Sequence, residues 1–322
     1  MDLSRRQFIQ AAAAGAAVAP AMGAGAAGKL PTRAFGKTGL EVSIIGFGSG
    51  SRFLMYDDEK ALEALTRALE LGITYIDTAN GYGDGKSEER IGRILPAWRD
   101  KVTVATKLGA RKGDDARRQL EASLKRLKTD HLDVVHIHAL SGDEDLARIE
   151  AADGVLKALY EARDQKVVRA VGISCHAAPA TLKTALERHD FDATQMALNA
   201  AMARMADAKG GMKATPMAEG SFEELALPVA VRKGLGVIAM KVFAQEQILG
   251  AAPVEKLMAY ALSLPVSLAS LGMPKLEFID RNIEIARAFA PMPADERKRL
   301  SDSIATERKA AVVEFFRDHR DA

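Results

Sequence analysis

Short apolar runs alternate with longer amphipathic stretches along most of this chain. Eight runs read as strands: Ser43–Gly48, Thr74–Asp77, Val102–Lys107, Leu132–His138, Val168–Ser174, Ala193–Leu198, Gly236–Lys241 and Ser267–Leu271. Between them, stretches such as Glu59–Glu70, Asp114–Leu127, Gly154–Arg163 and Pro179–Arg188 carry apolar residues at helical spacing. Strands separated by helices pair in parallel, and eight such units close into a barrel. The pattern therefore predicts an α/β fold, a (β/α)8 TIM barrel. Ahead of it, Thr32 to Ser43 reads as a short polar β-hairpin with Gly36 and Gly39 as turn residues. Behind it, roughly Ala294–Arg317 predicts an extra C-terminal helix, packed outside the barrel or across one end. Met202–Ser221 has no clean period and contains Gly210-Gly211 and Pro216, which predicts a long loop after the sixth strand. The barrel domain is placed at residues 32–320.

The first residues do not belong to this pattern. Ser4-Arg5-Arg6-Gln7-Phe8-Ile9 leads into an Ala- and Gly-rich apolar run from Ala11 to Ala27. A positive start, a modest apolar stretch and small residues at the end describe a signal peptide, placed at residues 1–28. The run is too short and too rich in Gly and Ala to span a bilayer well, so no stable membrane insertion of the mature protein is expected. The paired arginines resemble the twin-arginine export motif. That resemblance implies a twin-arginine translocation machinery as partner, a periplasmic or otherwise exported location in a bacterium, and passage in the folded state with cofactor already bound.

Composition narrows the chemistry. Of 322 residues, 48% are hydrophobic and 27% charged, the balance of a soluble globular protein. The formal net charge is +2, which gives no electrostatic case for nucleic acid or an anionic membrane surface. With Cys175 as the single cysteine, an intramolecular disulfide and a cysteine-ligated zinc or iron–sulfur site are both excluded.

In a barrel of this kind the active site lies at the C-terminal ends of the strands. Asp77 ends the second strand, Lys107 the third and His138 the fourth, while Tyr82 follows in the loop after Asp77. Alone, each has a plain structural reading: a helix cap, a solvated lysine, a core histidine, a packing tyrosine. Four such residues on one rim are a less ordinary coincidence. Reduction of a carbonyl adds hydride to carbon and a proton to oxygen. A phenol, with a pKa near 10, is too weak a donor unless a neighbouring cation stabilises the phenolate. Lys107 can supply that charge, Asp77 can hold the ammonium and offset its burial, and His138 can donate or accept a hydrogen bond at the carbonyl oxygen and so orient it.

These residues and their flanks resemble the aldo-keto reductase superfamily. Ile76-Asp77-Thr78-Ala79 with Tyr82-Gly83, then Ser87-Glu88 and Ile91-Gly92, resembles its second-strand signature. Val104-Ala105-Thr106-Lys107 resembles the third-strand lysine motif, and Leu132-Asp133 through Ile137-His138 the motif that ends on the catalytic histidine. Val171-Gly172-Ile173-Ser174 resembles the fifth-strand motif whose serine binds the nicotinamide amide, and Gln195 stands where a glutamine shares that task. Met240-Lys241 resembles the end of the seventh strand. Gly272, Lys275 and Asn282 resemble the segment that binds the adenosine phosphate end of the cofactor. The likeness runs from about Thr32 to Ala290.

The resemblance implies NADPH as cofactor, with NADH possible, and a small-molecule aldehyde or ketone as substrate. Tyr82 would be the general acid, with Lys107, His138 and Asp77 in support. Gly48, Ser49, Ser174, Cys175, Gln195, Met240, Lys241, Gly272, Lys275 and Asn282 would contact the cofactor. Three positions depart from the pattern. Cys175 replaces a common Asn, Leu198 replaces a stacking aromatic residue, and Phe278 stands where NADPH-dependent members often carry Arg. Lys275 is then the one evident candidate for a 2′-phosphate.

Other signals compete. Gly46-Phe47-Gly48-Ser49-Gly50 begins like a dinucleotide fingerprint, but the sixth position is Ser51 and no helix is expected there. His136 and His138 share one face of a strand, which leaves a metal-dependent barrel hydrolase as an alternative; otherwise His136 packs inward. Arg111 and Lys112 read as a solvated pair or a phosphate clamp. The altered cofactor positions leave room for a non-catalytic or weakly active cofactor-binding barrel.

Overall fold

Alternating apolar positions at the front of the chain build the predicted hairpin. β1 (Thr32–Ala34) pairs antiparallel with β2 (Glu41–Ser43) in the register Thr32↔Ser43 and Ala34↔Glu41. The connection turns through Gly36 and Gly39, both at positive φ (55° and 74°). A Cβ at Gly36 would lie 2.3 Å from the backbone nitrogen of Gly236, so this turn also needs glycine to seat against the barrel. In this computed structural model, residues 28–176, 178–201 and 220–304 are described. The stretch through Ala27 that is expected to direct export, the stretch 202–219 of the expected loop and the chain beyond Ile304 lie outside the described residues.

The eight expected strands are present. They are β3 (Ile45–Gly48), β4 (Tyr75–Asp77), β5 (Thr103–Leu108), β6 (Leu132–Leu140), β7 (Val168–Cys175), β8 (Ala193–Ala197), β9 (Gly236–Met240) and β10 (Leu268–Gly272). They close in the order β10-β3-β4-β5-β6-β7-β8-β9, every neighbour parallel. The strands are buried on both faces, which is why they read as apolar runs rather than alternations.

The helices wrap this cylinder. α1 (Ser51–Leu54) and α2 (Asp58–Glu70) follow β3, and α3 (Lys86–Gly92) follows β4. α4 (Gly113–Leu127) follows β5; α5 (Asp143–Glu150) and α6 (Val155–Asp164) follow β6; α7 (Pro179–Arg188) follows β7. α8 (Ala226–Arg232), α9 (Val254–Leu262), α10 (Leu276–Arg287) and α11 (Ala294–Ser303) complete the order. In α2 the Asp57 carboxylate accepts the Lys60 N–H at 2.8 Å, and Asp58 and Glu59 complement the positive end of the helix. Ala61, Ala64, Leu65, Ala68 and Leu69 supply the buried stripe. The short α1 corrects the expectation that no helix starts at Ser51; at four residues it is one turn. The last helix is described as Ala294–Ser303, the front part of the stretch expected to run to Arg317.

The barrel interior is layered. Phe35 enters from the hairpin and packs beside Tyr75, with ring centroids 5.6 Å apart. Around them lie Ala105, Val134, Ala170, Ala193, Ile238 and Leu268, each two residues before a position in the next layer. Strand alternation makes that next layer Asp77, Lys107, His136, Gly172, Gln195, Met240 and Ser270. An apolar plug at one end thus supports a polar floor towards the strand C-termini. No helix among the described residues is long and apolar enough to cross a membrane.

Candidate active site

An open cleft lies above the polar floor, at the C-terminal ends of the strands. Gly48, Asp77, Tyr82, Lys107, Gln195 and Ser270 line its depth, with Arg52, His176, Met240, Lys241, Glu246 and Gly272 among the residues around it. The Lys107 side chain is 2% exposed. Its ammonium donates to Asp77 Oδ1 at 2.7 Å, to the Thr78 carbonyl at 2.8 Å and to Tyr82 Oη at 3.3 Å. An ammonium has three N–H groups, and all three are engaged. The same nitrogen sits 4.9 Å from the centroid of the Tyr82 ring. His138 stands edge-on to that ring, with centroids 5.7 Å apart and an interplanar angle of 77°. Tyr82, Lys107, Asp77 and His138 are therefore brought together from three adjacent units.

Asp77 is held on both oxygens. Oδ2 accepts from Gln195 Nε2 at 2.7 Å and from Ser270 Oγ at 2.8 Å. Burial by itself raises the carboxyl pKa, but the Lys107 charge and the hydrogen bonds from Lys107, Ser270 and Gln195 overcome it. The group is left below the ordinary carboxylate range. Ser270 was not singled out in the sequence; its signal is its position near the C-terminal end of the last strand, two residues after inward-facing Leu268. The loop carrying Tyr82 is tied down by buried hydroxyls. Ser87 Oγ donates to the Ser49 carbonyl at 2.8 Å and lies 2.9 Å from Thr78 Oγ1.

The expected cofactor residues divide into two groups. Gly48, Gln195, Met240, Lys241 and Gly272 line the cleft. Ser49, Ser174, Cys175, Lys275 and Asn282 are not among its lining residues. Ser49 Oγ turns inward and donates to the Asp77 carbonyl at 2.8 Å. Ser174 Oγ accepts the Ala139 N–H at 2.9 Å. The Cys175 thiol is buried 3.1 Å from the Leu140 carbonyl. Lys275 is exposed, 3.6 Å from Glu277 and above the Phe278 ring, while Asn282 is buried on α10. Across the cleft mouth Arg52 reaches Glu246 at 2.9 Å, a pair the sequence did not announce. Arg52 packs on Gly272, where a Cβ would meet its side chain at 2.9 Å.

Two competing readings also meet the geometry. Arg111 is not a solvated cation. It pairs with buried Asp145 at 2.8 Å and reaches the His138 carbonyl at 2.8 Å. His136 is fully buried, and neither ring nitrogen has a hydrogen-bond partner. Its imidazole fills the space a Cβ at Gly172 would take, 2.3 Å from Nδ1. Burial first, and then the Lys107 charge, push its pKa down to about 3, against a smaller pull from Asp77. Among the described residues no group of three or more His, Cys, Asp or Glu side chains is arranged to hold a metal ion.

The architecture is a parallel eight-stranded barrel with a buried lysine–aspartate pair touching a cleft tyrosine. The chain belongs to the aldo/keto reductase family, whose model matches residues 44–252. It is similar to Aldo-keto reductase YhdN of Bacillus subtilis (strain 168), 37% identical over 153 residues, or 42% of this chain and 44% of that protein. The chain thus spans less than half of that relative's length in the match. The uncharacterized oxidoreductase YqkF of the same organism is 27% identical over 331 residues, covering 89% of this chain and 99% of its own. Among solved structures, the holo form of aldo-keto reductase AKR11C1 from Bacillus halodurans shares the fold. It has a TM-score of 0.69 and 23% identity, over 85% of this chain and 96% of that one.

Proposed function

We propose that this protein is an NAD(P)H-dependent reductase that converts an aldehyde or ketone to an alcohol, with Tyr82 as general acid. The observation that carries the reading is the three-way engagement of the Lys107 ammonium by Asp77, the Thr78 carbonyl and Tyr82 Oη at the cleft. A reduced nicotinamide, when bound, supplies hydride to the carbonyl carbon. Tyr82 Oη gives its proton to the carbonyl oxygen, and the negative charge left on the phenol is stabilised by the ammonium beside it. Asp77 keeps that ammonium in place and offsets its burial. His138, set against the Tyr82 ring, orients the carbonyl oxygen.

The cleft fits the cofactor at one telling atom. A carboxylate only accepts, so Gln195 must turn its Nε2 towards Asp77. This leaves Oε1, which is buried and has no hydrogen-bond partner, to accept from a carboxamide N–H. Gly48, Met240, Lys241 and Gly272 offer the adjoining surface. At the far end Lys275 already pairs with Glu277, so a 2′-phosphate gains little there. Isothermal calorimetry is expected to show saturable binding of both NADPH and NADH, with affinities within about tenfold of one another, or ~1.4 kcal/mol. Calorimetry is preferable to intrinsic fluorescence, because the single tryptophan, Trp98, precedes β5 at the opposite end of the barrel. Absence of binding by either nucleotide at millimolar concentration would sink the reductase reading and favour a non-catalytic barrel.

The proposal extends to export. Residues 1–28 carry the Arg5-Arg6 pair ahead of a short apolar run, which supports delivery by the twin-arginine machinery. Replacing the pair by lysines (R5K/R6K) is expected to retain the protein in the cytoplasm of a host with that machinery. Unchanged export of the variant on cell fractionation would remove this part of the proposal.

A further inference from the structure

β6 does not end cleanly at His138. Its pairing with β7 shifts register between Ile137 and Leu140, and Ala139 sits at φ 52°. Left-handed backbone disfavours any residue with a Cβ, so such a kink persists only where its surroundings hold it. Bulges of this kind re-aim the side chain beside them. Here that side chain is His138.

Three elements grip the kink from outside the cleft. Arg111, in the loop between β5 and α4, donates through Nη2 to the His138 carbonyl at 2.8 Å and the Ala139 carbonyl at 3.3 Å. Ser174 on β7 accepts the Ala139 N–H at 2.9 Å and donates to the Ile137 carbonyl at 3.4 Å. The guanidinium is itself fixed by Asp145 on α5, with Nε to Oδ1 and Nη2 to Oδ2 both at 2.8 Å. Asp145 Oδ2 also accepts the Ser141 N–H at 3.2 Å, which ties down the chain just past the kink. The planar fork of arginine serves carbonyls and carboxylate at once; a lysine offers a point charge instead. We infer that Arg111 is a positioning residue: with Asp145 and Ser174 it holds the left-handed kink at Ala139 and so fixes the His138 imidazole against Tyr82.

This inference rests on the reductase reading for its kinetic consequence, so its test has a second readout that needs no turnover. Arg111→Met is expected to lower kcat roughly ten- to a hundredfold through misplacement of His138. In a His138→Asn background the same substitution should cost almost nothing further, because both changes remove one interaction. Ala139→Gly added to Arg111→Met should recover most of the loss, since glycine takes positive φ without a clamp. In histidine-labelled protein, the ring resonance that disappears in His138→Asn should broaden or split in Arg111→Met and sharpen again with Ala139→Gly. If Asp145, left with Arg148 at 3.2 Å as its one charged partner among the described residues, prevents Arg111→Met from folding, Arg111→Lys keeps the charge, loses the fork and carries the same expectations. Additive losses in the double variant, or an unmoved His138 resonance, would overturn the inference. Failure of the wild-type protein to reduce any carbonyl would remove the reductase reading instead, and the spectra would still decide the clamp.

Discussion

Tyr82→Phe is expected to retain its fold and nucleotide affinity and to lose about 10²- to 10⁴-fold in kcat for carbonyl reduction. The substitution removes one atom, Oη. The ring remains edge-on to His138 and beneath the Lys107 ammonium, contacts that do not involve the hydroxyl. Lys107 keeps its bonds to Asp77 and the Thr78 carbonyl, so the loss of its third acceptor, at 3.3 Å, is a modest structural cost. What disappears is the hydroxyl that touches that cation, and with it the proposed proton donor. Steady-state kinetics with a panel of small aldehydes, together with calorimetry of nucleotide binding, provides the check. Near-normal turnover by the variant would show that the proton comes from elsewhere and that the assigned mechanism is wrong.

A second large effect is expected in stability rather than turnover. His136 is buried as a neutral imidazole with its pKa pushed down to about 3, against about 6.5 in an unfolded chain. The group is depressed in the folded state, so the unfolded state binds the extra proton. Its contribution is present above pH 6.5 and drains away as pH falls towards 3. Each pH unit in that window costs about 1.4 kcal/mol, or ~3 kcal/mol between pH 7 and pH 4. Two other groups bear on the same curve. Asp77 is also held low, so its contribution is lost only below the ordinary carboxylate range, under the window considered. Glu223 works in the opposite direction. Burial raises its carboxyl to about 7 despite the hydrogen bond from Tyr260, so the folded state gains relative stability there as pH falls. The wild-type curve alone therefore hides the His136 effect, and the comparison with His136→Leu exposes it. Leucine replaces two unpartnered ring nitrogens with apolar surface of similar volume, so the variant should be no less stable at pH 7. Urea unfolding between pH 7 and pH 4 should show the wild type losing about 3 kcal/mol relative to the variant. Parallel curves would mean that His136 takes up no proton on unfolding in this range.

Both predictions concern the polar floor of the barrel, where the two levels of reading differ most. The eight strands were legible because each is buried on both faces, so apolar runs between amphipathic stretches leave little choice of architecture. Their observed ends fall within two residues of the expected ones. Asp77, Lys107 and His138 were legible for a related reason: polar residues that close apolar strands must face the same rim of a parallel barrel. The turn at Gly36 and Gly39 announced the hairpin.

What the tertiary structure decided is the partner of each polar atom. A period of two states which side of a strand a residue occupies, but not which donor it meets across the barrel. Ser270 and Asp77 are 193 residues apart in the chain and Gln195 and Asp77 118 apart, yet they meet at 2.8 and 2.7 Å. Ser49 and Ser174, expected at the cofactor, spend their hydroxyls on the backbone of neighbouring strands. Arg111, expected as a solvated charge or a phosphate clamp, is drawn onto Asp145 and the carbonyls of His138 and Ala139. The kink at Ala139 carries no glycine to announce it, because it is imposed by groups that reach it from other elements rather than by its own preference. Local pattern sets the elements and the rim they share; closure of the barrel alone sets the distances between side chains, and with them the chemistry.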